Sequence, residues 1–240
     1  MIPVLFSVGK ISISSFGVLM TLGFLFGMFL IWRLARAWDL DEEKILDLTF
    51  LTTLGGLIGS RIYFTLEHLN LFVSKVFFVL LPNKLPGFSF WGAFIGGWLT
   101  LHFFAKRRRQ DFWLIVDIAA VGFLGGLIFY NLGCFLSGCN IGIQSNLFFA
   151  VKMAGSTGKR LPVQILEAVL LAIALFRIWS YAIKFHQRGR ILALFLICVG
   201  VVKLILEPLK ANHDEGVVLS LLICALGAFI YYKLPKATRL

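Results

Sequence analysis

Five polar residues stand inside or at the ends of long apolar runs, where they could perform chemistry. Arg61 has apolar sequence on both sides in "LIGSRIYF". Gln164 and Glu167 are three positions apart, and Lys203 and Glu207 are four apart, so each pair lies on one face of a helix. Ionisable groups within apolar spans usually mark function or an ion pair. Because Arg and Lys pair with phosphate, these residues predict a basic cavity for an anionic lipid headgroup.

A segment rich in small and polar residues, "YNLGCFLSGCNIG", interrupts the apolar sequence at residues 130–142. Cys134 and Cys139 within it have four residues between them. Tetrahedral zinc would need more ligands nearby, and the segment has no histidine. We therefore expect no metal site and interpret the two cysteines as small packing residues, outside any secreted disulfide framework.

The elements that position these residues are predicted to be membrane-spanning helices. Of 240 residues, 59% are hydrophobic and 15% are charged, which is typical of an integral membrane protein. A span needs about 20 mostly apolar residues. Seven runs qualify: 12–35, 46–66, 88–105, 111–135, 163–183, 190–207 and 216–233. Stretch 71–86 is apolar but short and ends in prolines, so we expect it to lie in the interface. The prediction is an all-α membrane protein with about seven transmembrane helices in a single domain, 1–240.

Loop charges predict the orientation of these helices. One set of alternate loops carries 13 Lys and Arg residues, including the run "KRRR", and the other set carries 7. The positive-inside rule then places the N-terminus outside and the C-terminus in the cytoplasm. The net charge of +11 is explained by these topology signals, so we expect no nucleic-acid partner.

Six of the seven spans bring polar or small residues to the outer membrane face. Polar helix ends are the plainer explanation, but it fits Arg61, Lys203 and Glu207 less well because apolar residues surround them. A second group, Asp47, Asp117 and Arg177, lies toward the cytoplasm, where we expect a structural Asp–Arg pair. Two glycine sets with small-x3-small spacing indicate close helix packing. They are Gly55, Gly56 and Gly59, and Gly92, Gly96 and Gly97.

Several motifs, in order along the chain, resemble those of the prolipoprotein diacylglyceryl transferases. "GGLIGSRIYF" resembles the family segment G-x-R-x-x-Y, and "FSFWGAFIGG" resembles S-x-H-G-G-x-x-G. "YNLGCFLSGCNIG" resembles the family signature in its cysteine-bearing form, G-R-x-G-C-F-x-x-G-C-x-x-G. "LPVQILEA" resembles H-P-x-Q-L-Y-E-A, and "VGVVKLILEPLK" resembles Y-G-x-x-R-F-x-x-E-x-x-R. The resemblance covers nearly the whole chain.

The resemblance implies a reaction and its partners. Diacylglyceryl would move from phosphatidylglycerol to the cysteine thiol of a lipobox-containing prolipoprotein at the bacterial plasma membrane, without a metal or other cofactor. It implies catalytic roles for Arg61, Lys203 and Glu207. The substrate-binding set that it implies is Trp91, Asn131, Gly133, Ser137, Gly138, Asn140, Gln164 and Glu167.

Several polar positions of the family pattern are altered in this chain. Trp91 and Leu161 replace histidines, and Asn131 and Lys203 replace arginines. In "ISISSFGVLMTLGF", which resembles the family's opening segment, Phe16 replaces the tyrosine of a Tyr-Gly pair. Trp91 cannot act as a base, and Lys203 lacks the planar fork with which arginine grips phosphate. Two interpretations stay open at this point: an active divergent transferase, and a lipid-binding homologue without the chemistry. A small transporter is a third, although the chain lacks the inverted repeat that transporters often have.

Overall fold

Over the residues that the structure describes, the fold consists of seven α-helices and short strands. The computed structural model describes residues 4–8, 11–68, 87–108, 110–148, 150–152, 158–184, 188–211 and 216–233. In these residues the helices are α1 Ser15–Ala37, α2 Glu42–Glu67, α3 Phe90–Arg107, α4 Phe112–Ser137, α5 Val163–Lys184, α6 Arg190–Leu206 and α7 Gly216–Lys233. The prediction of an all-α membrane protein with seven helices is confirmed. The stretch 71–86 lies outside the described residues.

Six of the seven helices are long and apolar enough to cross a membrane. The remaining one, α3, has 18 residues and includes His102, Lys106 and Arg107, which lower its hydropathy. Helix α6 gives way to a 3₁₀ turn at Glu207–Leu209, because Pro208 cannot donate the next helical hydrogen bond. The predicted span 216–233 has the same bounds as α7.

An antiparallel hairpin precedes α1, and the sequence prediction missed it. Strand β1 Val4–Val8 pairs with β2 Ile11–Ser14, so residues 12–14, which were predicted to begin the first span, belong to a strand. The alternation in "ISIS" is the period-2 signal that could have identified it. Ser14 then caps α1 by accepting a hydrogen bond from the Gly17 N–H at 3.1 Å.

The chain divides into two compact units. The α2–α3 unit is Leu40–Ile115, and the five-helix unit is Met1–Asp39 with Val116–Leu240, which holds α1, most of α4, and α5 to α7. In the α2–α3 unit the two helices approach backbone to backbone. A Cβ on Gly59 would lie only 2.8 Å from the Gly96 Cα. The predicted close packing through glycines is thus confirmed for these helices.

The five-helix unit is held together by polar contacts between distant helix ends. The indole Nε1 of Trp38, just after α1, donates to the Ala182 carbonyl near the end of α5 at 3.0 Å. The buried carboxylate of Asp117 accepts hydrogen bonds from the Gly189 N–H at 2.6 Å and the Leu192 N–H at 2.7 Å. Asp117 therefore caps the N-terminus of α6, where the helix dipole favours negative charge.

These contacts correct the expected Asp–Arg pair on the cytoplasmic side. Asp117 bonds backbone N–H groups, and Asp47 pairs with Arg108 of the α2–α3 unit at 3.2 Å. Arg177 pairs with neither aspartate. The structural role predicted for the two aspartates is correct, but their partners come from helix termini, whose N–H groups and basic residues suit a carboxylate.

Candidate functional site

The small, polar segment at residues 130–142 is the C-terminal end of α4 and the turn after it. The N–H groups of Gly138 and Cys139 both donate to the Cys134 carbonyl, at 2.9 and 3.1 Å. Gly138 has φ 84° and Asn140 has φ 54°, both in the left-handed region. Glycine and asparagine are the residues that adopt this region most readily. The segment thus reverses the chain by a glycine C-cap.

Cys134 and Cys139 form a disulfide across this turn. The expectation that they are separate packing residues is therefore wrong. Cys134 is the buried last-turn residue whose carbonyl accepts both capping bonds, so the turn itself brings Cys139 back over it. The signal available in the sequence was two cysteines at the predicted outer membrane face, an environment that favours disulfides.

The predicted substrate-binding residues in α4 have specific local partners. Asn131 is buried; its Nδ2 donates to the Leu127 carbonyl at 3.0 Å, and its Oδ1 has no hydrogen-bond partner in the described part of the chain. Ser137 Oγ donates to the Gly133 carbonyl at 2.8 Å. A Cβ on Gly133 would lie 3.0 Å from the Phe16 ring, so glycine lets α1 approach α4 here.

The chain after the turn connects the α4 end to α5 and α6. The Ile143 N–H donates to the Leu209 carbonyl at 2.9 Å, and the Ala211 N–H donates to the Ile141 carbonyl at 2.9 Å. On its other side, the Leu161 N–H donates to the Ile143 carbonyl at 3.1 Å. Residues 141–143 therefore lie between the start of α5 and the end of α6, so polar residues at these helix ends share one region.

Two ion pairs lie in this region, and both contain a buried carboxylate. Lys203 Nζ lies 3.0 Å from Glu167 Oε1, with the lysine side chain 31% exposed and the glutamate 4%. Lys210 Nζ lies 2.6 Å from Glu207 Oε2, with both side chains largely buried. The sequence placed Lys203 and Glu207 on one face of α6, but each pairs with a different residue. The charges within these two ion pairs cancel, so the net charge of this region is closer to zero than that of the basic cavity that we expected.

Gln164 connects this cluster to the turn. Its Nε2 donates to the Cys139 carbonyl at 2.5 Å, and the side chain is buried. Gln164 and Glu167 leave α5 on the same face, as their spacing predicted, so one face of α5 contacts both the turn and Lys203. We refer to Gln164, Glu167, Lys203, Glu207 and Lys210 as the ion-pair cluster.

Arg61 and Trp91 belong to the α2–α3 unit. Arg61 is 8% exposed, and its Nη1 donates to the Gly87 carbonyl at 2.9 Å. Its guanidinium lies 5.8 Å from the ring centroid of Phe64 and 5.9 Å from that of Phe88, within cation–π range. Trp91 is exposed in the first turn of α3. Their predicted roles in lipid binding stay predictions.

The structure thus brings together the predicted residues of the five-helix unit that come from α5, α6 and the turn after α4. Lys210 was missed as a member, although the three-residue spacing from Glu207 in "EPLK" is a pairing signal. The Cys134–Cys139 disulfide was also missed. Among the described residues, no cluster of His, Cys, Asp and Glu suits a metal ion.

Comparison with known proteins gives a consistent match. The family model described as prolipoprotein diacylglyceryl transferase matches residues 3–233. Similar proteins named phosphatidylglycerol–prolipoprotein diacylglyceryl transferase include one from Clostridium tetani, 26% identical over 95% of this chain and 96% of that protein. Another, from Methylobacillus flagellatus, is 30% identical over 85% of this chain and 82% of that protein. A third, from Vibrio vulnificus, is 31% identical over 87% and 78%.

Proposed function

Because the chain belongs to the prolipoprotein diacylglyceryl transferase family, we propose that it transfers diacylglyceryl from phosphatidylglycerol to the lipobox cysteine of a prolipoprotein. The thiol sulfur attacks the glyceryl carbon that carries the phosphate. The carbon–oxygen bond breaks, its electron pair stays on the phosphate oxygen, and glycerol phosphate leaves. The thiol gives up its proton, and a thioether forms. The chain is a multi-pass membrane protein, and we place it in the bacterial plasma membrane.

The observation that carries this proposal is the partial exposure of Lys203 beside a buried carboxylate. Lys203 uses one N–H on Glu167 and is 31% exposed, so its ammonium is accessible to an anion. A lysine ammonium has three donors, and two are therefore available for phosphate oxygens. A cation fixed in this position stabilises the charge that develops on the departing phosphate.

Glu167 orients this lysine. The carboxylate is buried, and its ion pair holds the ammonium at the end of α6 in one place. The same face of α5 also contacts the Cys139 carbonyl through Gln164. Helix α5 therefore fixes the position of the turn after α4 relative to Lys203. In this proposal Gln164 and Glu167 position the lipid site, and Asn131, Gly133, Ser137, Gly138 and Asn140 form the wall that faces it.

The catalytic roles of Arg61 and Glu207 stay predictions within this proposal. Arg61 is an always-charged group in an apolar environment, which suits phosphate binding. Glu207 is buried, and its Oε2 lies 2.6 Å from Lys210 Nζ. That ion pair would have to open before Glu207 could take the thiol proton.

The transfer assay tests the proposal directly. The full chain is reconstituted in phosphatidylglycerol vesicles with a peptide that carries a lipobox cysteine, and mass spectrometry measures the added diacylglyceryl group. We expect the thioether product and a matching amount of glycerol phosphate. Complementation of a transferase-depleted strain gives the same answer in cells.

Variants separate the transferase from its alternative, a lipid-binding homologue without chemistry. Lys203→Ala and Arg61→Ala are expected to abolish product, whereas Lys233→Ala, which removes an exposed lysine at the end of α7, serves as the matched control. The wild-type protein could instead bind phosphatidylglycerol, form no product and fail in complementation. That result would contradict the transferase proposal and favour the lipid-binding homologue.

A further inference from the structure

A small basic sheet lies directly before α5, outside the ion-pair cluster. Strand β3 Val151–Lys152 pairs with β4 Lys159–Arg160, and an isolated bridge joins Gln144 to Arg160 on the other edge. The register places Lys152 opposite Lys159. Both lysines are exposed. Like charges directly opposite each other destabilise a strand pair.

Nothing in the surrounding sequence offsets this charge. No acidic residue occurs between Asp117 and Glu167. In the described part of the chain, neither Lys152 nor Lys159 has an ion-pair partner, because the four ion pairs found there involve other residues. The arrangement therefore presents uncompensated positive charge, which an anionic partner would stabilise.

An exposed aromatic residue, Phe148, lies four positions before Lys152 in the sequence. Phe148 is 97% exposed and Leu147 is 50% exposed. Their turn is fixed by backbone bonds: the Ala150 N–H donates to the Leu147 carbonyl at 3.0 Å, and the Ser145 N–H donates to the Lys159 carbonyl at 3.0 Å. The same backbone network thus carries both the apolar and the basic groups. We call Leu147, Phe148, Lys152, Lys159 and Arg160 the basic–aromatic patch.

Chain connectivity places this patch near the membrane surface. Arg160 is three residues before Val163, where the membrane-length helix α5 begins. Three extended residues reach about 10 Å at most. The headgroup layer on each side of a bilayer is roughly 5–8 Å thick. Arg160 is therefore within reach of the headgroups at the end of α5.

We propose that the basic–aromatic patch binds anionic phospholipid headgroups of the surrounding bilayer, with Phe148 inserted at the boundary of the acyl chains. Stable interfacial binding usually needs two signals, and an apolar anchor with clustered cations supplies both. The phosphodiester oxygens accept hydrogen bonds from the ammonium groups of Lys152 and Lys159. This membrane contact does not depend on the transfer reaction.

Depth measurement in lipid nanodiscs tests this proposal on the full chain. Cys198 and Cys224 are replaced by alanine, Phe148→Cys is labelled with a nitroxide, and the Cys134–Cys139 disulfide stays closed. Collision rates with oxygen and with a water-soluble nickel chelate give the depth of the label. In phosphatidylglycerol nanodiscs we expect the label below the phosphate plane and shielded from nickel. In phosphatidylcholine nanodiscs we expect it closer to water.

Charge removal supplies the matched comparison. Two cations near an anionic surface together change the equilibrium between the membrane-inserted and the water-exposed states of the patch by about 30-fold. The double variant Lys152→Gln with Lys159→Gln should therefore shift the label toward water. Lys106→Gln with Arg107→Gln removes two exposed charges at the end of α3 and should leave the depth unchanged. Equal depth in both lipids, or a label shielded only after a lipobox peptide is added, overturns the proposal. The readout uses no transfer product, so its failure is distinguishable from failure of the transferase.

Discussion

The ion pair between Lys203 and Glu167 makes the sharpest prediction, because it separates stability from activity. Lys203→Met removes the cation and leaves the Glu167 carboxylate, 4% exposed, without the partner that holds it at 3.0 Å. Breaking a buried pair on one side costs about 3–5 kcal/mol. Since Lys203 is 31% exposed and water screens part of the interaction, we expect the lower end, about 3 kcal/mol.

The reverse change should cost less. Glu167→Met leaves a lysine that can turn toward solvent, so we expect a loss of about 1 kcal/mol, close to one hydrogen bond. The double variant with Lys203→Met and Glu167→Met replaces the pair by apolar side chains. Such replacements are often neutral or stabilising, so its stability should return close to that of the wild-type protein.

Unfolding of the four proteins in detergent by increasing denaturant gives these free energies as a double-mutant cycle. In parallel, the transfer assay should find that the double variant is stable and inactive, because the phosphate-binding cation is gone. A cycle with no coupling, or a Lys203→Met protein as stable as the wild type, would refute the role of this pair. Full transfer by the stable double variant would instead refute the catalytic role of Lys203.

Three further changes test the fold around the site. Gly59→Ala should strongly destabilise the α2–α3 unit because the new Cβ overlaps the α3 backbone. Gly97→Ala should be tolerated because its Cβ would lie 3.7 Å from the nearest atom, the Thr52 carbonyl oxygen. Thermal unfolding in detergent compares the two variants. Alkylation of the denatured chain, followed by intact-mass measurement, should add two groups before reduction and four after it; four before reduction would exclude the Cys134–Cys139 disulfide. Asp117→Ala removes the acceptor for two N–H groups at the start of α6 and should cost roughly 1–3 kcal/mol of unfolding free energy, with unchanged stability as the contradicting result.

The structure shows the surroundings of two residues that differ from the family pattern, Asn131 and Lys203. Asn131 replaces an arginine, and the loss of charge is accompanied by a buried amide oxygen that has no partner among the described residues. A buried acceptor of this kind is costly unless a donor reaches it. Lys203 keeps a cation at the end of α6, but its ammonium group is paired with the buried Glu167 carboxylate at 3.0 Å. These two positions are the most informative places to restore the family residue and measure transfer.

The helices were predictable because their determinants are local. The length and hydropathy of an apolar run fix a membrane helix almost independently of the rest of the chain, so the predicted span 216–233 has the bounds of α7. The same-face relation of Gln164 and Glu167 also follows from helix geometry alone. The hairpin before α1 was missed because a long apolar run outweighed the short alternation in "ISIS".

The partners of the charged residues were decided only by tertiary structure. Helix periodicity places Lys203 and Glu207 on one face of α6, but the packing of α5 against α6 gives Lys203 a partner 36 positions away. Asp117 likewise finds its donors 72 and 75 positions along the chain. Sequence spacing limits which groups can lie on a common face. Which of those groups form ion pairs depends on how the helices pack, since a carboxylate buried away from water must take the nearest donor that the fold supplies.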